Sequence, residues 1–281
     1  MSVPRDIPAA VKLQLRREAG FGCCACGHPF YEYQHIKPFS IEPHHDPQHM
    51  MVLCPNHHHQ ATVGALDDGE QRRCKADPFN VRRGYANGQL IITSRLVALQ
   101  LGSNQFVGAG FKLMVDDHPL LQLQADPEGR LSLSVDLYDE ADTQILCLVD
   151  NEWVTGDPLP WDLQFGYRWL KVRLKGRDIA LDLDAREDLV SLRGRLWRKG
   201  QCFTIDESSL MVNGVVQNSG LIDLCLVGLI VGLDTKERKF TITPDPTFGK
   251  GMIVSWPDVA ERVRRGIEAY ERLLASKGAS A

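Results

Sequence analysis

Two short pairs, Cys23-x-x-Cys26 and Cys54-x-x-His57, limit what this chain can fold into more than any other feature. Each pair encloses two residues, the spacing at which one tight turn offers two ligand atoms to one ion. Three thiols and an imidazole arranged in this way suit a tetrahedral zinc site. A lone Cys-x-x-Cys is as readily redox-active or accidental as metal-binding, and it is the second pair that points to metal. The same window, His28 to His59, holds eight of the nine histidines.

Length and composition permit such a site without requiring it. The 281 residues suffice for a small domain beside a larger one. A hydrophobic share of 43% and a charged share of 24% are ordinary for a soluble globular chain. The longest apolar run, Leu221 to Leu233, is broken by Asp223 and is too short for a bilayer, so it reads as a buried strand and no membrane partner is expected. The first residues carry no apolar signal core, which makes the cytoplasm the expected compartment. In a reducing compartment, cysteines crowded toward the first 74 residues favour metal over disulfides. A net charge of −4 argues against a strongly basic nucleic-acid coat, so any such contact has to rest on local patches and a bound cation.

The pattern predicts an α+β chain in three parts: a small zinc-braced module over 1–85, a larger mainly-β domain over 86–256, and an amphipathic helix within 257–281. Pro8 to Gly20 reads as a helix with Val11, Leu15 and Ala19 on one face. Pro55 can open a short helix, because the proline's missing donor costs nothing in a first turn. A further helical piece is expected over Glu70 to Ala76, stopped by Pro78. Leu90–Ile92, Phe111–Val115 and Leu131–Val135 read as strands. Leu170, Val172 and Leu174, then Ile179, Leu181 and Leu183, alternate about a turn at Gly176 as a hairpin would, with Lys171 and Arg173 facing Asp182 and Asp184. Pro257 to Ser276 presents an apolar face that a sister subunit or the β-domain could cover, leaving a homodimer open.

The stretch from Cys23 to His58 resembles the HNH endonuclease superfamily, with its ββα-metal module. The residues that carry the resemblance are His35-Ile36-Lys37-Pro38, between the metal pairs, and Leu53-Cys54-Pro55-Asn56-His57-His58, at the second pair. It covers the first 80 residues or so and implies nothing about the rest. It implies a structural Zn2+ at Cys23, Cys26, Cys54 and His57, and a catalytic Mg2+ or Mn2+ on His58. His35 is implied as the general base that deprotonates water. The implied reaction is DNA phosphodiester hydrolysis leaving 5′-phosphate and 3′-hydroxyl ends, with a role in genome defence or mobility by association.

The chain departs from that family at two positions. Gln34, a neutral oxygen donor, stands where a second metal ligand, Asp or His, is common. His49 stands where an asparagine braces the loop bearing the base; an imidazole can still donate one hydrogen bond. His44, His45, Asp46 and Thr62 are further candidates for completing the metal site. Two rival functions follow: a zinc-stabilised nucleic-acid-binding module without catalysis, and a nuclease effector held in check by a protein or small molecule on the β-domain. Of the basic residues, Arg72, Arg73, Arg82 and Arg83 lie nearest the module and are the preferred phosphate contacts. Arg193 to Lys199 reads equally well as a phosphate-tracking edge or a solvated strand edge. Cys24 reads as a buried neighbour of the site, and Cys74, Cys147, Cys202 and Cys225 as isolated thiols.

Overall fold

The computed structural model describes residues 3–92, 97–102, 104–125, 130–187, 189–217, 224–226, 228–246, 268 and 272. Apart from those last two positions, the helix expected over Pro257 to Ser276 lies outside the described residues. The chain groups into two compact units. The first comprises Met1–Gly88 with Trp153–Gly166 and Val172–Asp178, and the second Gln89–Glu152, Tyr167–Lys171 and Ile179–Ala281.

The first unit opens with helix α1 (Ala9–Glu18), whose Leu15 and Ala19 are buried and whose last turn carries Arg16 and Arg17, cations that complement the helix dipole. Gly20, at φ +62°, ends it. Strands β1 (Glu32–His35) and β2 (Met50–Leu53) pair antiparallel, with Glu32 opposite Leu53 and His35 opposite Met50. Every residue of β2 is buried, and with Leu15, Ala19, Ile36 and Leu66 it forms the core of this unit.

Helix α2 (Pro55–Thr62) starts directly from Cys54, with Pro55 in its first turn as expected. Helix α3 (Asp68–Ala76) begins two residues before the expected segment. The Asp67 carboxylate accepts a hydrogen bond from Glu70 N at 2.8 Å and so caps it. Pro78 ends that helix and also caps a five-residue helix, α4 (Phe79–Arg83), which the sequence reading missed. The buried Asn80 of α4 donates from Nδ2 to the carbonyls of Gly20 at 3.0 Å and Gly27 at 3.4 Å, tying the end of α1 to the cysteine knuckle.

The second unit is built from strands. One sheet contains, in spatial order, Lys239–Pro244, Leu229–Asp234, Gly110–Val115, His118–Ala125, Leu131–Tyr138 and Gln144–Val149. Leu131–Tyr138 alternates buried and half-buried residues throughout, the signature of a sheet with one packed face. The other follows Val190–Arg198, Gln201–Ile205, Leu210–Val212 and Val215–Val216 through antiparallel neighbours. Val97–Leu101 runs parallel to Val190–Arg198.

Four details differ from expectation. Leu90–Ile92 is extended with Leu90 and Ile92 buried and Ile91 exposed, but the short strand lies just before it, at Asn87–Gln89. Lys171 pairs with Asp182 at 2.7 Å as expected, whereas Arg173 turns to Asp162 at 3.5 Å and Asp184 to Arg186. Val190–Arg198 has strands on both sides, so it is no edge. Its cations are also engaged: Arg193 with Glu207, and Arg198 with Asp142 at 2.8 Å. The apolar run from Leu221 yields two strands, Leu224–Leu226 and Leu229–Asp234, with 221–223 and 227 outside the described residues.

A candidate metal centre and its histidine rim

The four ligands come from the two ends of the β-hairpin. Cys23 and Cys26 sit on a knuckle closed by Gly27 N donating to Cys23 O at 2.7 Å and Cys23 N donating to His28 O at 2.9 Å. Gly27 is at φ +75°, and a Cβ there would lie 2.3 Å from Asn80 Oδ1, so both the turn and its packing require glycine. Cys54 leaves β2 in extended conformation, and His57 follows on the first turn of α2.

All four ligand atoms lie within 4.8 Å of one another. Zinc–sulfur bonds of about 2.3 Å and zinc–nitrogen bonds of about 2.0 Å place tetrahedral corners roughly 3.8 Å apart for two sulfurs and about 3.5 Å for sulfur and nitrogen. Cys26 Sγ and Cys54 Sγ are 3.8 Å apart, Cys23 Sγ and His57 Nδ1 3.6 Å, and Cys54 Sγ and His57 Nδ1 3.1 Å. This Cys3His group could hold a zinc ion. Burial, with the neighbouring Cys26 acting in the same direction, pushes the Cys23 thiol up to about 12. A divalent cation inverts that preference, because its charge stabilises the thiolate it binds. Cys24, also buried, uses its backbone instead: its N–H donates to Val52 O and its carbonyl accepts from Phe79 N.

The remaining predicted site residues form a rim around the hairpin. At the end of β1, His35 Nε2 lies 3.0 Å from the carbonyl oxygen of His44. A carbonyl only accepts, so that nitrogen carries the proton and Nδ1 keeps its lone pair. Partial burial holds His35 below the usual imidazole range, with the nearby rings of His44 and His45 acting in the same direction. His44 and His45 flank it at ring-centre distances of 5.2 Å and 5.7 Å. Both are tied down through Nε2, to Lys37 O at 3.2 Å and Pro4 O at 2.7 Å respectively.

His58, on α2, points Nδ1 at Glu32 Oε2, 3.2 Å away. Glu32 and Gln34 share one face of β1 by strand alternation. The Gln34 amide nitrogen donates to His35 O at 3.0 Å and to Gln71 Oε1 at 3.3 Å, which leaves its carbonyl oxygen as the donor atom for a ligand. His49 braces the hairpin through its backbone, its carbonyl accepting from Ile36 N at 2.9 Å, while its ring Nδ1 accepts from Arg72 at 3.5 Å. Thr62 Oγ1 donates to His58 O at 2.9 Å, and Asp46 accepts from Gln48 N.

Glu32 is the residue the sequence reading missed. Its signal was available in the period of two along β1, which puts Glu32 on the face of Gln34, but its partner lies on another element. Two sets of residues thus share one frame: Cys23, Cys26, Cys54 and His57 in direct proximity, and Glu32, Gln34, His35, His49 and His58 along the hairpin and α2. Among the described residues, no helix is long and apolar enough to cross a membrane. Set against known protein families, curated proteins and solved structures, the chain matches none.

Proposed function

We propose that this chain is a metal-dependent endonuclease of HNH type that hydrolyses DNA phosphodiester bonds. The observation that carries this reading is the contact between His58 Nδ1 and Glu32 Oε2, made where the Cys3His clip joins the hairpin to α2. A carboxylate accepting from Nδ1–H fixes the tautomer and leaves Nε2 as the ligand atom, the usual arrangement behind a metal-bound histidine. With the Gln34 oxygen, His58 offers mixed nitrogen and oxygen donors that suit Mn2+ at least as well as Mg2+. Such an ion supplies positive charge to the phosphate and to the leaving oxygen. His35 accepts the proton of the attacking water on Nδ1, while the His44 carbonyl keeps Nε2 protonated and the ring oriented. Its lowered basicity keeps it neutral, and therefore competent as a base, at pH 7. The zinc group is structural in this reading: it stiffens a small module that carries the reacting residues.

Supercoiled plasmid incubated with the zinc-loaded protein and Mg2+, Mn2+ or Ni2+ tests the proposal. Nicked or linear product is expected, with His35→Ala slower by about 10²- to 10⁴-fold, the usual worth of a general base. Intact plasmid under all three ions, with DNA still bound, would leave a zinc-braced binding module instead. Cleavage equal in His35→Ala would remove the assigned base.

A further inference from the structure

Four arginines follow the metal centre, and the structure separates one from the others. Arg73 is ion-paired with Glu70, and Arg82 with Asp77 at 2.8 Å. Arg83 lies over the Tyr85 ring at 3.9 Å and also bonds to Asn87 Oδ1. Arg72 has no carboxylate partner among the described residues; its one contact is the long, weak approach to His49 Nδ1 at 3.5 Å.

That contact joins Arg72 to the rim. His49 stands next to His44, with ring centres 6.0 Å apart, and His44 stands next to His35 at 5.2 Å. Arg72 also lines a groove of about 530 Å³ with Gln48, Glu18, Lys75, Ala76, Pro78 and Val81. Within that groove Lys75 is neutralised by Glu18 at 2.7 Å, so the uncompensated positive charge belongs to Arg72. Gln48 adds a side-chain amide immediately before His49.

We propose that this groove is a phosphate subsite of the nuclease, in which Arg72 binds the phosphate of a nucleotide flanking the scissile bond. The inference rests on the hydrolase reading above. One long hydrogen bond and two ring-to-ring steps link Arg72 to His35, which suits a neighbouring phosphate and not the one attacked. A guanidinium exchanging a 3.5 Å contact with the His49 ring for a phosphate oxygen gains a charge-assisted hydrogen bond. The occupant is the sugar–phosphate backbone, because Arg72 supplies charge and Gln48 an amide, Ala76, Pro78 and Val81 form an apolar wall that a sugar can lie against, and no aromatic platform stacks a base.

The test measures binding of a short fluorescein-labelled DNA duplex across a salt series in the His35→Ala background, where the duplex stays whole. Adding Arg72→Ala is expected to weaken binding about tenfold and to lower the slope of log affinity against log salt by about 0.9, one phosphate contact. Arg72→Lys is expected to keep most of that slope. Arg82→Ala serves as the charge control, since it removes the same formal charge outside the groove and is expected to leave the slope nearly unchanged. Equal slopes with and without Arg72, or an equal drop in Arg82→Ala, would overturn the subsite while plasmid cleavage by the unaltered protein left the hydrolase reading standing. No duplex binding at any salt concentration would overturn both.

Discussion

Glu32 is half-exposed and makes a single close contact, yet it decides which nitrogen of His58 is available. With Nδ1–H held by the carboxylate, Nε2 carries the lone pair; without it the ring is free to flip and to hold its proton on either nitrogen. Glu32→Gln keeps the shape but replaces a charged acceptor with a neutral amide. Affinity for the proposed catalytic ion is expected to fall about 10- to 100-fold, the usual cost of losing such an orienting partner. Titrating Mn2+ into cleavage assays of the two proteins reads this directly, and the content of tightly held zinc is expected to stay the same. Equal Mn2+ requirements would mean that the His58–Glu32 contact has no bearing on the ion.

At the level of elements, the strand-rich unit is held in part by aspartates in its turns and at a strand end. The Asp116 carboxyl is held at about 2, chiefly by Lys199 Nζ at 2.8 Å and by the backbone N–H of Thr235. Asp142 is lowered by the Lys199 backbone N–H, Asp206 by that of Ser208, and Asp184 by the Arg186 guanidinium. In each case the folded state favours the charged form, so the unfolded chain takes up protons first. Their contribution is therefore complete above the ordinary carboxylate value of about 4 and is lost as pH falls below it, for Asp116 toward about 2. Thermal melts followed by circular dichroism are expected to fall steeply across that window. Asp116→Asn is expected to melt lower at neutral pH and to show a flatter acid decline. An acid profile identical to that of the unaltered protein would exclude this role.

The elements themselves were legible where side chains repeat. Alternation marked Gly110–Val115, Leu131–Tyr138, Trp169–Lys175 and Asp178–Asp184, and proline and glycine marked α1 and the start of α2. The metal ligands were legible from spacing alone. Helix α4 was not, because five residues cannot display a period of 3.6, and Asn80 acts through carbonyls of Gly20 and Gly27 far back in the chain. The direction of Arg173 was hidden for a related reason: alternation within the hairpin names Asp184, whereas Asp162, just as far away along the chain in the other direction, lies on another strand.

On the scale of the molecule, the unit that holds the candidate site is assembled from distant segments. Arg16 of α1 is buried, with Nε and Nη2 donating to both oxygens of Asp162 at 2.8 Å and 2.9 Å and Nη1 donating to Tyr33 OH at 2.9 Å. Phe30 packs on Phe165 at 4.8 Å, and Ala86 N donates to Thr155 Oγ1 at 3.0 Å. Trp153, fully buried, lies so near Gly88 that a Cβ there would meet its ring at 2.8 Å. Removing Asp162 strands a buried guanidinium, so Asp162→Ala is expected to cost about 3–5 kcal/mol in denaturant unfolding. A loss of less than about 1 kcal/mol would show the pair to be dispensable, as surface pairs usually are.

This interleaving has a consequence for biosynthesis. A ribosome delivers both ligand pairs before the other segments of this unit, and a nascent chain could capture zinc as soon as His57 emerges. Arg16 and Phe30 must wait for Asp162 and Phe165, and the last segment of the unit ends only at Asp178. Zinc capture by the hairpin and closure of the unit around it would in this way be separate events, the second waiting on segments made some hundred residues later.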